Sequence, residues 1–308
     1  RLGDRGYLAP QNNAVSVDAS FGSVANANAS LYQGNALFYG QVTISNVPVA
    51  NAAMDCNDSQ QMFNGKTFTD LNGNYAIVAL VNTNVLATNT TWNCSPNTGD
   101  ETGPRINTLD NYIFSQAENV AFTNNQAVLQ NFIGLPVTAT ISGRLVNNQG
   151  TPVSSLGVGA NATIGGYMFV TSYNDTDTNG NFSFGAASGQ WYVNVNCCGK
   201  DGLDNAGYYD PTNFHVVNIP PTNPVVDIVI YPANVPLLGQ PGKVSPSQFN
   251  LNLYGANGFN YTVQASTSLT PPNWSTVTVV SNLPGSPFLI QDFNATNKAR
   301  FYRAFRGP

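Results

Sequence analysis

The sequence predicts an all-β protein: tandem β-sandwich domains followed by a small C-terminal β domain. Three observations lead there. No long stretch of Ala, Leu, Glu, Lys and Arg recurs at helical period, while Val, Thr, Tyr and Phe alternate with small polar residues, as half-buried strands require. Gly and Pro, 28 and 19 residues, punctuate the 308-residue chain roughly every eight to twelve residues, the turn spacing of sandwiches and barrels. A unit of about 105 residues also occurs twice, one sandwich per repeat.

The repeat is carried by short matches. Residues 69–75, Thr-Asp-Leu-Asn-Gly-Asn-Tyr, return at 176–182 as Thr-Asp-Thr-Asn-Gly-Asn-Phe. Each stands between two strand-like runs. Asn-Gly in that setting predicts a two-residue hairpin, because both central positions of a type I′ turn need φ > 0. Upstream, Gly40-Gln-Val with Pro48-Val49 matches Gly143-Arg-Leu with Pro152-Val153. Downstream, Trp92-Asn-Cys94 matches Trp191 with Asn196-Cys197-Cys198. The units occupy residues 35–135 and 136–233.

Residues 1–34 match the closing third of such a unit. Leu2, Gly6-Tyr7 and Pro10 keep the spacing of Leu203, Gly207-Tyr208 and Pro211, and the run Ala14-Val15-Ser16-Val17 corresponds to the run starting at His215. Two readings stand side by side. Either the chain is cut from a longer array, or these strands, with Leu2, Tyr7, Val15 and Val17, complete a domain in a neighbouring subunit. A lone strand pair is marginal in water, and its edges template pairing with another chain. Donation of this kind builds head-to-tail polymers when the contact is heterologous.

Residues 234–308 break the pattern. Residues 235–243 read as a linker, and residues 249–254, 261–267, 276–280 and 300–305 read as alternating strands of a compact third domain.

Composition limits the function classes. Charged residues are 9% of the chain against about 25% usually, and about one residue in seven is Asn. Such neutral polar faces suit packing against protein or glycan more than separation by charge. The net charge is −5, with no Lys/Arg stripe to hold a phosphate backbone, so nucleic acid is not an expected partner. No apolar run approaches the roughly 20 residues of a membrane helix, and no signal peptide is visible, so a mature or trimmed form is expected.

Four cysteines are present: Cys56, Cys94, Cys197 and Cys198. Cys56 and Cys94 are placed to staple one domain, in keeping with an oxidising compartment. The adjacent Cys197 and Cys198 have three open fates: a vicinal disulfide, two thiols, or a bond to another chain.

The segments Gly40…Pro48-Val49…Thr69-Asp-Leu-Asn-Gly-Asn-Tyr75 and Gly143…Pro152-Val153…Thr176-Asp-Thr-Asn-Gly-Asn-Phe182 resemble the carboxypeptidase regulatory-like domain, an Ig-like/transthyretin-like β-sandwich found in tandem on bacterial surface proteins. The resemblance covers roughly residues 35–233. The third domain is similar to a small C-terminal β module that ends many large secreted bacterial proteins. Its matching residues are Tyr261-Thr-Val-Gln-Ala-Ser-Thr-Ser-Leu, Asn273-Trp274, Phe301-Tyr-Arg-Ala and Gly307-Pro308, which makes Pro308 the expected natural end. Both resemblances imply extracellular scaffolding, adhesion or assembly and neither implies catalysis. Some sandwiches of this kind carry a Lys–Asn isopeptide link, but the four lysines here form no convincing Lys/Asn/acid set.

The chemistry-bearing residues point the same way. The single histidine, His215, lies in an alternating strand, where a plain strand histidine is expected rather than a triad or zinc ligand. Asp70, Asn72, Asp177 and Asn179 superficially resemble calcium-loop positions, yet the segments lack the further carboxylates and terminal Glu of such loops, so hairpin turns are expected. Glu101 and Glu118 are the only glutamates and pair with no second acid by spacing. Tyr7, Tyr208, Tyr209, Trp92, Trp191 and Trp274 suggest sugar platforms, but core packing is the expected role of aromatics at repeat positions. Sequons are numerous, Asn28, Asn89, Asn161, Asn260 and Asn294 among them, as this much Asn and Thr yields by chance.

The sequence thus predicts a secreted, non-enzymatic structural protein of the bacterial surface, self-associating into a filament, sheath or appendage. No catalytic group, metal or cofactor is expected. The alternative is an adhesin or carbohydrate-binding accessory module with a glycan or cell-surface ligand.

Overall fold

A computed structural model describes residues 6–10, 31–81, 90–96, 107–196, 202–220 and 223–307. Among these the chain is all-β, with one short 3-10 turn (Asn107–Asn111) and a one-turn helix (Leu203–Ala206). No helix among the described residues is long and apolar enough to cross a membrane.

Period-two burial builds the sheets. In Ala53–Asp58 and Phe63–Phe68 every second side chain is fully buried, because successive Cβ atoms point to opposite faces. The first sandwich pairs Ala36–Ile44 with antiparallel Asn74–Ala79 on one side and with parallel Ala127–Leu129 and Phe132–Pro136 on the other. Its opposing sheet runs Phe63–Phe68, Ala53–Asp58, Thr91–Pro96, Tyr112–Ala121. The second sandwich repeats this order. Ala139–Asn147 lies between antiparallel Asn181–Ala186 and parallel Ile228–Pro232, opposite Tyr167–Val170, Gly157–Ile164, Gly189–Val195 and His215–Ile219. Trp92 and Trp191 sit at matching places in the two cores, both 0% exposed. Their indole N–H groups donate to Leu80 O (3.0 Å) and Ala187 O (2.8 Å), so neither buried donor is orphaned.

The glycines of the repeat have steric work. Gly40 stands opposite Tyr75 and Gly143 opposite Phe182. A Cβ at Gly40 would collide with the Gln130 carbonyl, and one at Gly143 with the Val226 carbonyl.

The Thr-Asp-x-Asn-Gly-Asn segments are turns, but not the hairpins predicted from sequence. Each connects a strand of one sheet to a strand of the facing sheet: Phe63–Phe68 to Asn74–Ala79 in the first sandwich. Only the glycine has positive φ, 72° at Gly73 and 76° at Gly180. The reason is local. Asp70 Oδ1 accepts the N–H groups of Asn72 and Asn74, both at 2.8 Å, and Asp177 Oδ1 does the same for Asn179 and Asn181. An aspartate that gathers its own downstream amides fixes a wider turn than type I′. The preceding threonine clamps the facing loop: Thr69 Oγ1 bridges Val49 O and Ala52 N, as Thr176 Oγ1 bridges Val153 O and Leu156 N. True two-residue hairpins with both central φ positive occur at Ser45-Asn46 and Gly165-Gly166.

The C-terminal module is two three-stranded sheets around Leu251, Leu253, Tyr261, Val263, Leu283 and Ile290. The expected linker at 235–243 is largely strand. Leu237–Lys243 pairs with Phe249–Tyr254 at a sheet edge, and a register shift between Gly239 and Gly242 accommodates Pro241, which an edge tolerates and a central strand does not. Phe288–Asp292, a strand the sequence reading passed over, completes that sheet.

Candidate functional site

The feature with the most to say about function is how one sandwich is joined to the next. Tyr112–Ala121 serves two domains. Tyr112 and Ile113 pair with Pro136 and Leu135 at the close of the first sandwich. Two residues on, Ser115 and Gln116 pair with Phe169 and Met168 of the second. The sheets of the two sandwiches therefore form one hydrogen-bonded path. Side chains reinforce it: buried Ser115 Oγ accepts the Ile133 N–H at 3.0 Å, and Gln116 Nε2 donates to Val170 O at 3.3 Å.

Alternation makes this strand two-sided. Tyr112 and Phe114 pack into the first core, whereas Ile113, with Ile133 and Leu135, packs against the second. A strand buried on both faces contributes apolar area to two domains at once, about 25 cal/mol per Å² removed from water.

The backward pairing recurs at both flanks, and the forward pairing at the amino-terminal one. At the amino-terminal flank, Tyr7 pairs with Gln33 and Leu8 with Tyr32, and Ala9 and Pro10 continue onto Asn64 and Phe63 of the first sandwich. At the exit of the second sandwich, Tyr208 pairs with Pro232 and Tyr209 with Tyr231. The glycine before each tyrosine has positive φ, 81° at Gly6 and 74° at Gly207. Its carbonyl accepts the matching N–H: Gly34 to Gly6 at 2.9 Å, Ala233 to Gly207 at 2.8 Å. Forward-facing residues behave alike. Leu8 is 1% exposed in the first core, Ile113 packs on the second, and Tyr209 with Tyr231 packs on Ala256 and Phe259 of the C-terminal module. The backward-facing ones differ. Tyr112 and Tyr208 pack on the sandwich behind them, while Tyr7, with none behind it among the described residues, is 41% exposed.

Of the sequence-designated residues, Tyr7 thus lies on a strand held in place by its own chain. Leu2, Val15, Val17, Cys197, Cys198, Glu101, Asn28 and Asn89 lie outside the described residues. Cys56 and Cys94 are directly opposed on neighbouring strands and joined by a disulfide. His215 Nε2 is 2.9 Å from Asp210 Oδ2, whose Oδ1 accepts the Thr212 N–H, so this pair ties a strand end to its loop. Glu118 is exposed, and no group of three or more His, Cys, Asp or Glu able to hold a metal ion occurs among the described residues. The Asp70 and Asp177 carboxyls lie below their ordinary value, held there chiefly by the backbone N–H groups of Asn74 and Asn181. Trp274 is half-exposed beneath Arg303. A cleft of about 650 Å³ between the second sandwich and the C-terminal module is lined by Tyr208, Phe259, Asp204 and Asn257. The sequence reading aligned Tyr7 with Tyr208 but missed the middle member, Tyr112-Ile113. The three tyrosines recur at about the repeat period, and that spacing was the available signal.

No protein-family model matches the chain, and no curated protein does. Among solved structures it is similar to a DUF3823 family protein from Bacteroides uniformis, 16% identical over 54% of this chain and 88% of that one, with a TM-score of 0.23. It is also similar to the streptococcal ancillary pilin, 10% identical over 88% and 86% of the two chains (TM-score 0.27). A third likeness is to the shaft pilin of Lactobacillus rhamnosus GG, 11% identical over 66% and 99% (TM-score 0.24). At such identities and scores these likenesses carry no argument about function.

Proposed function

We propose that the chain is a non-enzymatic structural protein of the bacterial cell exterior, a unit of a surface filament, sheath or appendage built from sandwiches in head-to-tail series. One observation carries this reading. The inter-sandwich junction recurs in the same register at the amino-terminal flank, where Tyr7 presents to solvent the face that Tyr112 and Tyr208 bury. A sandwich seated behind Tyr7, from another subunit or from further chain, continues the array through β-strand contacts. The disulfide and the sparse charge favour an oxidising, crowded exterior. The matched turns and glycines support a carboxypeptidase regulatory-like origin for the repeats.

Negative-stain electron microscopy of the native protein and of a Tyr7→Asp variant, which changes the exposed face and leaves Leu8 in the first core, tests the proposal. Filaments from the native chain that disappear in the variant support it, and monomers in both samples overturn it. The cleft beside Tyr208 and Phe259 favours one second reading, an adhesin or carbohydrate-binding accessory module, which glycan-array binding lost in Tyr208→Ala would establish.

A further inference from the structure

Charge is divided unevenly along this sparsely charged chain. Residues 234–308 hold Lys243, Lys298, Arg300, Arg303 and Arg306 against Asp292 alone, net +4. Residues 1–233 hold six basic and fifteen acidic residues, net −9. Within the C-terminal module the one carboxylate is already occupied: Arg300 Nε lies 2.5 Å and the Tyr302 hydroxyl 3.0 Å from Asp292 Oδ2. Among the described residues, Arg303 and Arg306 have no carboxylate partner.

These two arginines are nonetheless held in place. Along Phe301–Arg306, Tyr302 and Ala304 pack inward, so Phe301, Arg303 and Phe305 line the outer face. Arg303 donates from Nε and Nη2 to Gln264 Oε1 at 2.9 and 2.6 Å, and its guanidinium lies 4.3 Å from the Trp274 ring centre. Arg306 lies 3.6 Å over Phe259. A neutral amide and aromatic faces fix these guanidinium groups without neutralising them, leaving N–H edges free for planar anions. Phe305, Phe301 and Val279, all exposed, put apolar area around Arg303, whereas Arg306 sits at the strand's end on the alternate side, against Phe259.

We propose that this arginine–aromatic face docks on the acidic second sandwich of another copy of the chain. The complementary surface is a groove of about 670 Å³ in which Asp175, Asp177 and Asp227 outnumber Arg144 and exposed Val225 supplies apolar area. Asp177 stays ionised there, because the Asn181 and Asn179 N–H groups hold its carboxyl below the ordinary value. The groove and the basic face are different patches, so the contact is heterologous and propagates rather than closing as a dimer. The inference rests on the head-to-tail reading and names a second contact within it.

Sedimentation velocity of the full chain tests it. Association should weaken at least about tenfold between 50 and 500 mM NaCl, because the Debye length shrinks across that range. The R303D/R306D variant should weaken it similarly, and so should Gln264→Glu, which sets a carboxylate on Arg303 without removing it. Circular dichroism checks that each variant folds. Adding D175R/D227R to R303D/R306D should restore association. Assembly that is unchanged in R303D/R306D and Q264E yet lost in Tyr7→Asp overturns this contact and leaves the head-to-tail reading standing. A wild-type chain that stays monomeric at 50 mM NaCl overturns both. A monomer that binds heparin through Arg303 overturns the second copy as occupant.

Discussion

The two sandwiches share strand order, tryptophan, glycines and turns, yet differ where their second sheets are pinned. In the first, Cys56 and Cys94 face each other and are bonded; the corresponding pair in the second is Ala160 and Val193. In the first, the hairpin after Ala53–Asp58 is organised by the buried Asp58 carboxylate, which accepts the N–H groups of Gln60 (2.8 Å), Met62 (3.0 Å) and Phe63 (2.5 Å). In the second, Gly165-Gly166 makes the same reversal in two residues, with φ of 60° and 83°. The fold therefore depends on the shared features, and the pins are interchangeable solutions to one steric problem.

Perturbing a shared feature should cost the two sandwiches alike. Trp92→Ala and Trp191→Ala should each lose about 3–5 kcal/mol, the usual cost of deleting a buried aromatic. Denaturant melts that place the two variants several kcal/mol apart would break the equivalence. Removing a pin should affect one sandwich only. Cys56→Ala with Cys94→Val, which copies the second sandwich, should cost about 2–4 kcal/mol through the 38-residue loop it opens. A loss in the second sandwich of similar size, read by hydrogen exchange, would contradict independent pinning. Asp58→Ala, which strands three amides, should cost about 2–3 kcal/mol by the same measurement. The smallest effect belongs to the turns. Asp70 and Asp177 have folded pKa values below the ordinary aspartate value, held there chiefly by the Asn74 and Asn181 N–H groups, so their contribution is present at neutral pH and fades as pH falls through the acid range. Asp70→Asn and Asp177→Asn should flatten the acid limb of a Tm–pH profile equally.

Most of the fold was legible in the sequence because strand alternation, Trp92/Trp191 and the Asp-x-Asn-Gly turns are local signals. Two errors had physical causes. Asn72-Gly73 looked like a hairpin because short-range patterns do not say whether flanking strands pair with each other, and here the Asp70 side chain sends the chain across the sandwich. Residues 235–243 looked like a linker because Pro241 and two glycines read as breaks, whereas a bulged edge strand absorbs them. The junction was half legible. Tyr7 and Tyr208 carried the match, but Tyr112-Ile113 sits inside a long strand with no punctuation to mark it.

The sharpest contrast in the molecule is between Tyr112, packed on the sandwich behind it, and Tyr7, 41% exposed with none behind it among the described residues. Hydroxyl-radical footprinting of Tyr7 in native surface material and in the isolated chain tests the central claim most directly. The junction account predicts that Tyr7 is reactive in the isolated chain and falls to the level of Tyr112 in native material. Equal reactivity of Tyr7 in both samples would contradict it.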